Sequence, residues 1–120
     1  MKTNSHEIDQ SLVAAGSCDV SCPVQKTAKI LDGKWTTLIV RDLLGGKKRY
    51  SELQRSLSGI SPRLLAARLR LLEQQGMLTR TVYPTVPPST EYELTELGYG
   101  FRDVIEAMAK FGGKLNIAVN

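Results

Sequence analysis

The spacing of apolar residues changes period along this chain and then changes back, and that constrains the fold more than any other feature. Up to Gln75 apolar side chains recur at helical intervals, in LTRTVY (78–83) and TEYELT (90–95) they alternate, and from Leu97 to Phe111 the helical interval returns. A repeat of about 3.6 keeps one stripe of a helix against a core, and a repeat of 2 keeps one face of a strand there. Punctuation divides the helical part. Cys22-Pro23 opens a first helix carrying Val24, Ala28 and Leu31 and ending near Asp32-Gly33; KWTTLIVRDLLGG, apolar almost all round, is a second helix suited to the centre of the core. SELQ (51–54) fits a capping box, with Ser51 capping a short third helix that runs to Leu57. After the turn SLSGI, Ser61 is a cap and Pro62 occupies the first helical position, where its missing N–H costs nothing; this fourth helix runs to Gln75 and stops at Gly76. PTVPPS separates the two strands as a stiffened hairpin tip, and a single helix follows Thr95.

The expected fold is therefore mainly α with a small β-hairpin, an α+β arrangement in the order helix, helix, helix, turn, helix, hairpin, helix. Two helices joined by a glycine-containing turn and followed by a two-stranded wing form a winged helix-turn-helix, whose second helix enters the major groove of DNA. The 120 residues suit one domain, and 42% hydrophobic with 23% charged residues is an ordinary composition for a folded chain. Residues 1–21 are expected to be a loosely ordered arm, 22–113 the folded unit and 114–120 a tail.

Charge supports the same reading through its distribution. The net charge is +4, yet the segment from Arg41 to Arg80 holds nine Lys or Arg against three acids, and the remainder is slightly acidic. A local cationic surplus suits a surface that meets a polyanion, and it also suits a run of solvated helix faces. On the fourth helix, Leu64, Leu65, Leu69 and Leu72 are expected to face the core, leaving Ser61, Arg63, Ala67 and Arg68 for base edges and phosphates. Arg70 is assigned to an intrahelical pair with Glu73. Lys47, Lys48 and Arg49, with Ser51, gather at a helix start, where cationic side chains and open backbone amides can hold a phosphate. The reading from another class is a winged-helix protein-interaction module with no DNA target, since fold alone does not give function.

Four blocks, CPVQKTAKILDGKW, RYSELQRSLSGIS, LRLLEQQGML and YPTVPPSTEYELTELG, occur in order and resemble the HxlR family of bacterial transcription regulators, within the MarR-like group, a resemblance that covers roughly residues 22–112. The resemblance implies a homodimer bound to a pseudo-palindromic operator on double-stranded DNA. It places the first and last helices in the dimer interface, which here designates Val24, Leu97, Phe101, Val104, Ile105, Met108 and Phe111. It gives the helix from Ser61 to the major groove, and the wing around Pro87, Pro88 and Ser89 to the DNA backbone or minor groove. The chain departs from the family at Ser89, where an arginine is common, and in the fourth helix, where Pro62 and two alanines replace polar residues.

Cys22 precedes a proline at a helix start, near unpaired amides and the positive end of the helix dipole, both of which lower a thiol pKa. Several members of the family sense oxidants or electrophiles through a cysteine at this position, so the resemblance makes Cys22 a redox-sensing candidate; Cys18, four residues earlier in the arm, is placed to resolve an oxidised Cys22. The alternatives are a buried cap without chemistry and an incidental second cysteine. His6 or Asp19 beside two thiols gives no metal-ligand spacing, so no metal or cofactor is expected. The lone histidine lies in the arm, and no phosphate loop or nucleophile elbow occurs, which argues against an enzyme. With no membrane-length apolar run and no export signal, the expected location is the cytoplasm, away from any membrane, where thiols stay reduced.

Overall fold

The computed structural model describes residues 22–31 and 33–117, so Cys18 and the expected arm lie outside the described residues. The chain divides at Gly33 into two units. In the first, Cys22 in an extended conformation caps helix α1 (Pro23–Ile30), with Pro23 in its first turn. The Thr27 hydroxyl donates to the Pro23 carbonyl (3.0 Å), and the Leu31 N–H closes the last turn on the Thr27 carbonyl (3.1 Å).

The second unit contains α2 (Lys34–Leu43), β1 (Lys48–Arg49), α3 (Tyr50–Ser56), α4 (Pro62–Gln74), β2 (Leu78–Tyr83), β3 (Ser89–Leu94), α5 (Glu96–Tyr99) and α6 (Phe101–Gly112). Its apolar pattern is met where it is densest. Thr36, Ile39, Val40 and Leu43 of α2 are buried together with Leu53 of α3 and Leu65, Leu69 and Leu72 of α4. Leu57 and Ile60 are buried at either end of the turn between α3 and α4, where Gly59 takes a positive φ of 96°. Ser61 caps α4 as expected, its hydroxyl accepting the Leu64 N–H at 3.1 Å.

Three local features differ from the expectations. The third helix begins at Tyr50, and the reciprocal cap is made by Glu52, whose carboxylate accepts the Arg49 N–H at 2.8 Å; Ser51 is already inside the helix. A two-residue strand, β1, precedes it, so the hairpin becomes a three-stranded antiparallel sheet in the order β1-β3-β2. Two residues carry no readable period, and β1 exists only because β3 offers it an edge. The helix expected after Thr95 is two segments meeting at Gly100, with Gly98 and Gly100 lowering helix propensity in between.

The base of the wing is tied down by Thr95. Its hydroxyl donates to the Gly76 carbonyl (2.6 Å) and accepts the Gly98 N–H (3.1 Å), while its own N–H donates to the Met77 carbonyl (2.9 Å). Among the described residues no helix is long and apolar enough to cross a membrane.

Candidate nucleic-acid interface

The face that α4 presents is set by the three leucines it buries. At about 100° per residue, Arg63 and Ala67 lie about 160° around the helix from Leu65 and Arg70 about 140°, whereas Arg68 lies only about 60° away. Exposure follows these angles: Ser61, Arg63, Ala67 and Arg70 are exposed and Arg68 is half-buried. The Arg68 guanidinium reaches the start of α2, where a Cβ on Gly33 would stand 3.7 Å from Nη2. Its Nε is buried with no hydrogen-bond partner. The expectation that Arg68 shares the open face with Arg63 is therefore corrected, because its position on the wheel turns it toward α2.

The first turn of this helix is held from outside. Tyr50 donates its hydroxyl to the Pro62 carbonyl at 2.9 Å, linking the start of α3 to the start of α4. The Ser56 hydroxyl donates to an Asp42 carboxylate oxygen at 2.5 Å, joining α3 to α2. Nothing in the local sequence pattern marks Tyr50 for that bond, which spans twelve positions.

Strand β1 separates the expected basic cluster. Lys48 pairs with Tyr92 and Arg49 with Glu91, and successive residues of a strand point to opposite faces. On β2 the same rows continue to Arg80 beside Tyr92 and Thr81 beside Glu91. Lys48, Tyr92 and Arg80 thus form one row across one face of the sheet, and Arg49, Glu91 and Thr81 a row across the other. Lys47 Nζ stands 3.9 Å from Glu91 Oε1, which also accepts the Tyr83 hydroxyl at 3.1 Å. The three cations do not converge on one point as a phosphate clamp.

The wing tip is open. Val86 is 99% exposed, and the Thr85 hydroxyl donates across the tip to the Pro87 carbonyl at 2.7 Å. Residues 85–90, which include Pro87, Pro88 and Ser89, face Arg49, Tyr50 and Ser51 across a cleft of about 650 Å³. On the flank of α4 that faces the sheet, Glu73 is not bound to Arg70 as expected; it meets Arg80 Nε at 3.5 Å, and Arg70 has no ion pair among the described residues.

The residues expected at a dimer interface divide in two. Phe101 is 8% exposed and already covered within its own protomer, which removes it from an intermolecular stripe. Val104 and Ile105 are half-buried, while Leu97, Met108 and Phe111 are exposed, the last at 62%. In the separate first unit Val24 is exposed, and Cys22 is a buried thiol at the cap of α1. Among the described residues no group of three or more His, Cys, Asp or Glu could hold a metal ion.

The HxlR-like helix-turn-helix family model matches residues 30–118. An uncharacterised HTH-type transcriptional regulator of Synechocystis is 43% identical over 91 residues, covering 76% of this chain and 67% of the relative. A putative transcriptional regulator of the MarR family from Porphyromonas gingivalis superposes with a TM-score of 0.78 at 40% identity, covering 84% of this chain and 98% of that one. The redox regulator HypR in its oxidised form superposes with a TM-score of 0.74 at 36% identity, covering 81% and 100%.

Proposed function

The chain belongs to the HxlR-like helix-turn-helix family, and from that premise we propose that it is a transcription regulator whose α4 reads the major groove of an operator. The observation that carries the reading is the capped start of α4. Ser61 and the Tyr50 hydroxyl hold the first turn, and Arg63 and Ala67 stand outward from it beside an exposed wing. An arginine can donate two hydrogen bonds to a guanine edge, and a neighbouring alanine permits close approach. Lys48 and Arg49, on opposite sheet faces, serve separate phosphates, and the cleft between Ser51 and the Pro87-Pro88-Ser89 tip follows the sugar-phosphate backbone.

Binding to random duplex DNA across a range of salt concentrations tests this against an interaction module without a DNA target. A regulator loses affinity steeply as salt rises, whereas such a module binds almost nothing at any salt. Arg63→Ala is expected to cost about 1–3 kcal/mol of operator binding with an unchanged melting temperature. Equal operator affinity for the variant and the wild type contradicts the assignment of α4.

The regulator is proposed to act as a homodimer. Leu97, Val104, Ile105, Met108 and Phe111 supply an apolar stripe that the protomer leaves largely open, and Val24 adds an exposed apolar residue on α1. Two copies related by a two-fold axis place their reading helices about 34 Å apart, one turn of DNA, so the operator is an inverted repeat at that spacing.

Control is proposed to run through Cys22, in keeping with its place at the cap of α1 and with the description of HypR as a redox regulator. Oxidation of a thiol that is 4% exposed puts new bulk at the start of a helix assigned to the dimer. Diamide is expected to change operator affinity about tenfold in the wild type, within the usual range of coupling between sites. Cys22→Ser should bind DNA normally and lose that response, and Cys18→Ser should lose it only if the two thiols form the oxidised disulfide. Confirmed modification of Cys22 by diamide with unchanged affinity leaves the thiol as a structural cap.

A further inference from the structure

The flank of α4 that faces the sheet carries a small polar notch that none of the roles above uses. Ala66, Arg70 and Glu73 of α4 line it with Arg80 of β2 and Tyr92 of β3, enclosing about 290 Å³. Tyr92 is 7% exposed and lines the notch, and its hydroxyl has no hydrogen-bond partner among the described residues. Burial pushes its phenol above the usual range, while Arg80, Glu73 and Arg70 are near enough to act on its charge. The hydroxyl therefore keeps its proton and is a donor without a protein acceptor.

The charges around that donor are unequal. Glu73 is the one carboxylate lining the notch, and it is engaged by Arg80 Nε, which leaves the other N–H groups of Arg80 to point elsewhere. Arg70 is exposed without an ion pair among the described residues, and Lys48 continues the row of Tyr92 and Arg80 across the sheet. Two cations and one phenolic donor thus line the notch with one acid that is already paired, and Lys48 adds a third cation along the same face of the sheet. The notch also lies between the reading helix and the base of the wing. A helix seated in the major groove is flanked on both sides by sugar-phosphate backbone, within reach of side chains on its flanks.

We infer that Arg70, Arg80 and the Tyr92 hydroxyl form a binding site for one backbone phosphate of the operator, at the inner angle between α4 and the wing. This rests on the DNA-binding reading above and adds a contact to it. Arg70, rather than Arg68, is then the second arginine by which α4 meets DNA. Its role is to set how deeply the helix sits, because a phosphate contact fixes register without reading sequence.

The test uses the full chain and a duplex carrying the operator, with Arg63→Ala and Arg102→Gln as references; Arg102 is exposed on α6, away from its apolar stripe. Arg70→Gln is expected to lower affinity about tenfold and to reduce the slope of log affinity against log salt by about one, equally for operator and random DNA. Arg70→Lys should keep the slope, since it keeps the charge. Tyr92→Phe should lose about threefold in affinity at an unchanged slope, because a single uncharged donor is removed. Arg102→Gln should change neither quantity. If Arg70→Gln and Tyr92→Phe bind like the wild type while Arg63→Ala is weakened, the phosphate site is overturned and the DNA-binding reading stands. A wild type that shows no salt-dependent binding overturns both. Inorganic phosphate, titrated at constant ionic strength into the DNA-free proteins, should leave the melting temperatures of wild type and Arg70→Gln alike. A saturable rise in the wild type alone, with equal DNA affinities, assigns the notch to a free anion and overturns the duplex as its occupant.

Discussion

Replacing Phe111 with glutamate is expected to turn the proposed dimer into a monomer and to lower operator affinity by about 100-fold or more. Phe111 is 62% exposed in the protomer, and Met108 one turn before it and Leu115 on the chain that follows are exposed too, so the substitution costs the single copy little. In a two-fold interface built on this stripe the same side chain is buried against the apolar face of the second copy. A carboxylate there loses its hydration when the two copies associate, and the symmetry repeats that cost on both sides. Loss of the dimer separates two half-site contacts that had been linked, and linkage of that kind multiplies affinity by about 10² to 10⁴. Light scattering at micromolar concentration and operator titration check the two halves of the prediction. A variant that remains dimeric assigns the two-fold contact to another surface.

Gly98→Ala is expected to destabilise the fold by about 3 kcal/mol, at the upper end of what overpacking costs. An ideal Cβ on Gly98 would stand 2.1 Å from the Met77 carbonyl oxygen, and it would also crowd Leu94. The near atom is backbone, so no side-chain rotation relieves the contact. Relief requires α5 to lift from the start of β2, which would stretch the bonds that Thr95 makes to Gly76 and Met77. Equilibrium denaturation of the variant and the wild type measures the difference. A midpoint within error of the wild type would show that the base of the wing is looser than this packing implies.

Several parts of the protein were legible in the sequence because the physics that makes them is local. Ser61-Pro62 caps a helix through groups within three residues of each other, and the leucines at positions 65, 69 and 72 share one stripe by helical geometry alone. The alternation in LTRTVY and TEYELT marked both strands, and their separation by a Pro-rich tip marked the wing. The four sequence blocks marked the family in the same way, since they are order and spacing along the chain.

The chemistry of the proposed interface was less legible, because it depends on neighbours that the local pattern does not name. Arg68 and Arg70 are two positions apart and read alike, yet packing of α4 against α2 turns the first inward and leaves the second beside the sheet. Glu73 is spaced for Arg70 along the helix, and the course of β2 brings Arg80 to it instead. Lys47, Lys48 and Arg49 form one basic run in the sequence until β3 pairs with it and sends adjacent side chains to opposite faces. Phe101 and Phe111 belong to one apolar stripe, and only the extent of the protomer core covers the first and leaves the second open. The sequence by itself therefore determined the elements, their caps and their order, since each depends on contacts within about one turn of helix or one strand pair. Which cation meets which anion, and which apolar residue remains for a second copy, was decided by tertiary structure, because those outcomes depend on the packing of elements distant along the chain.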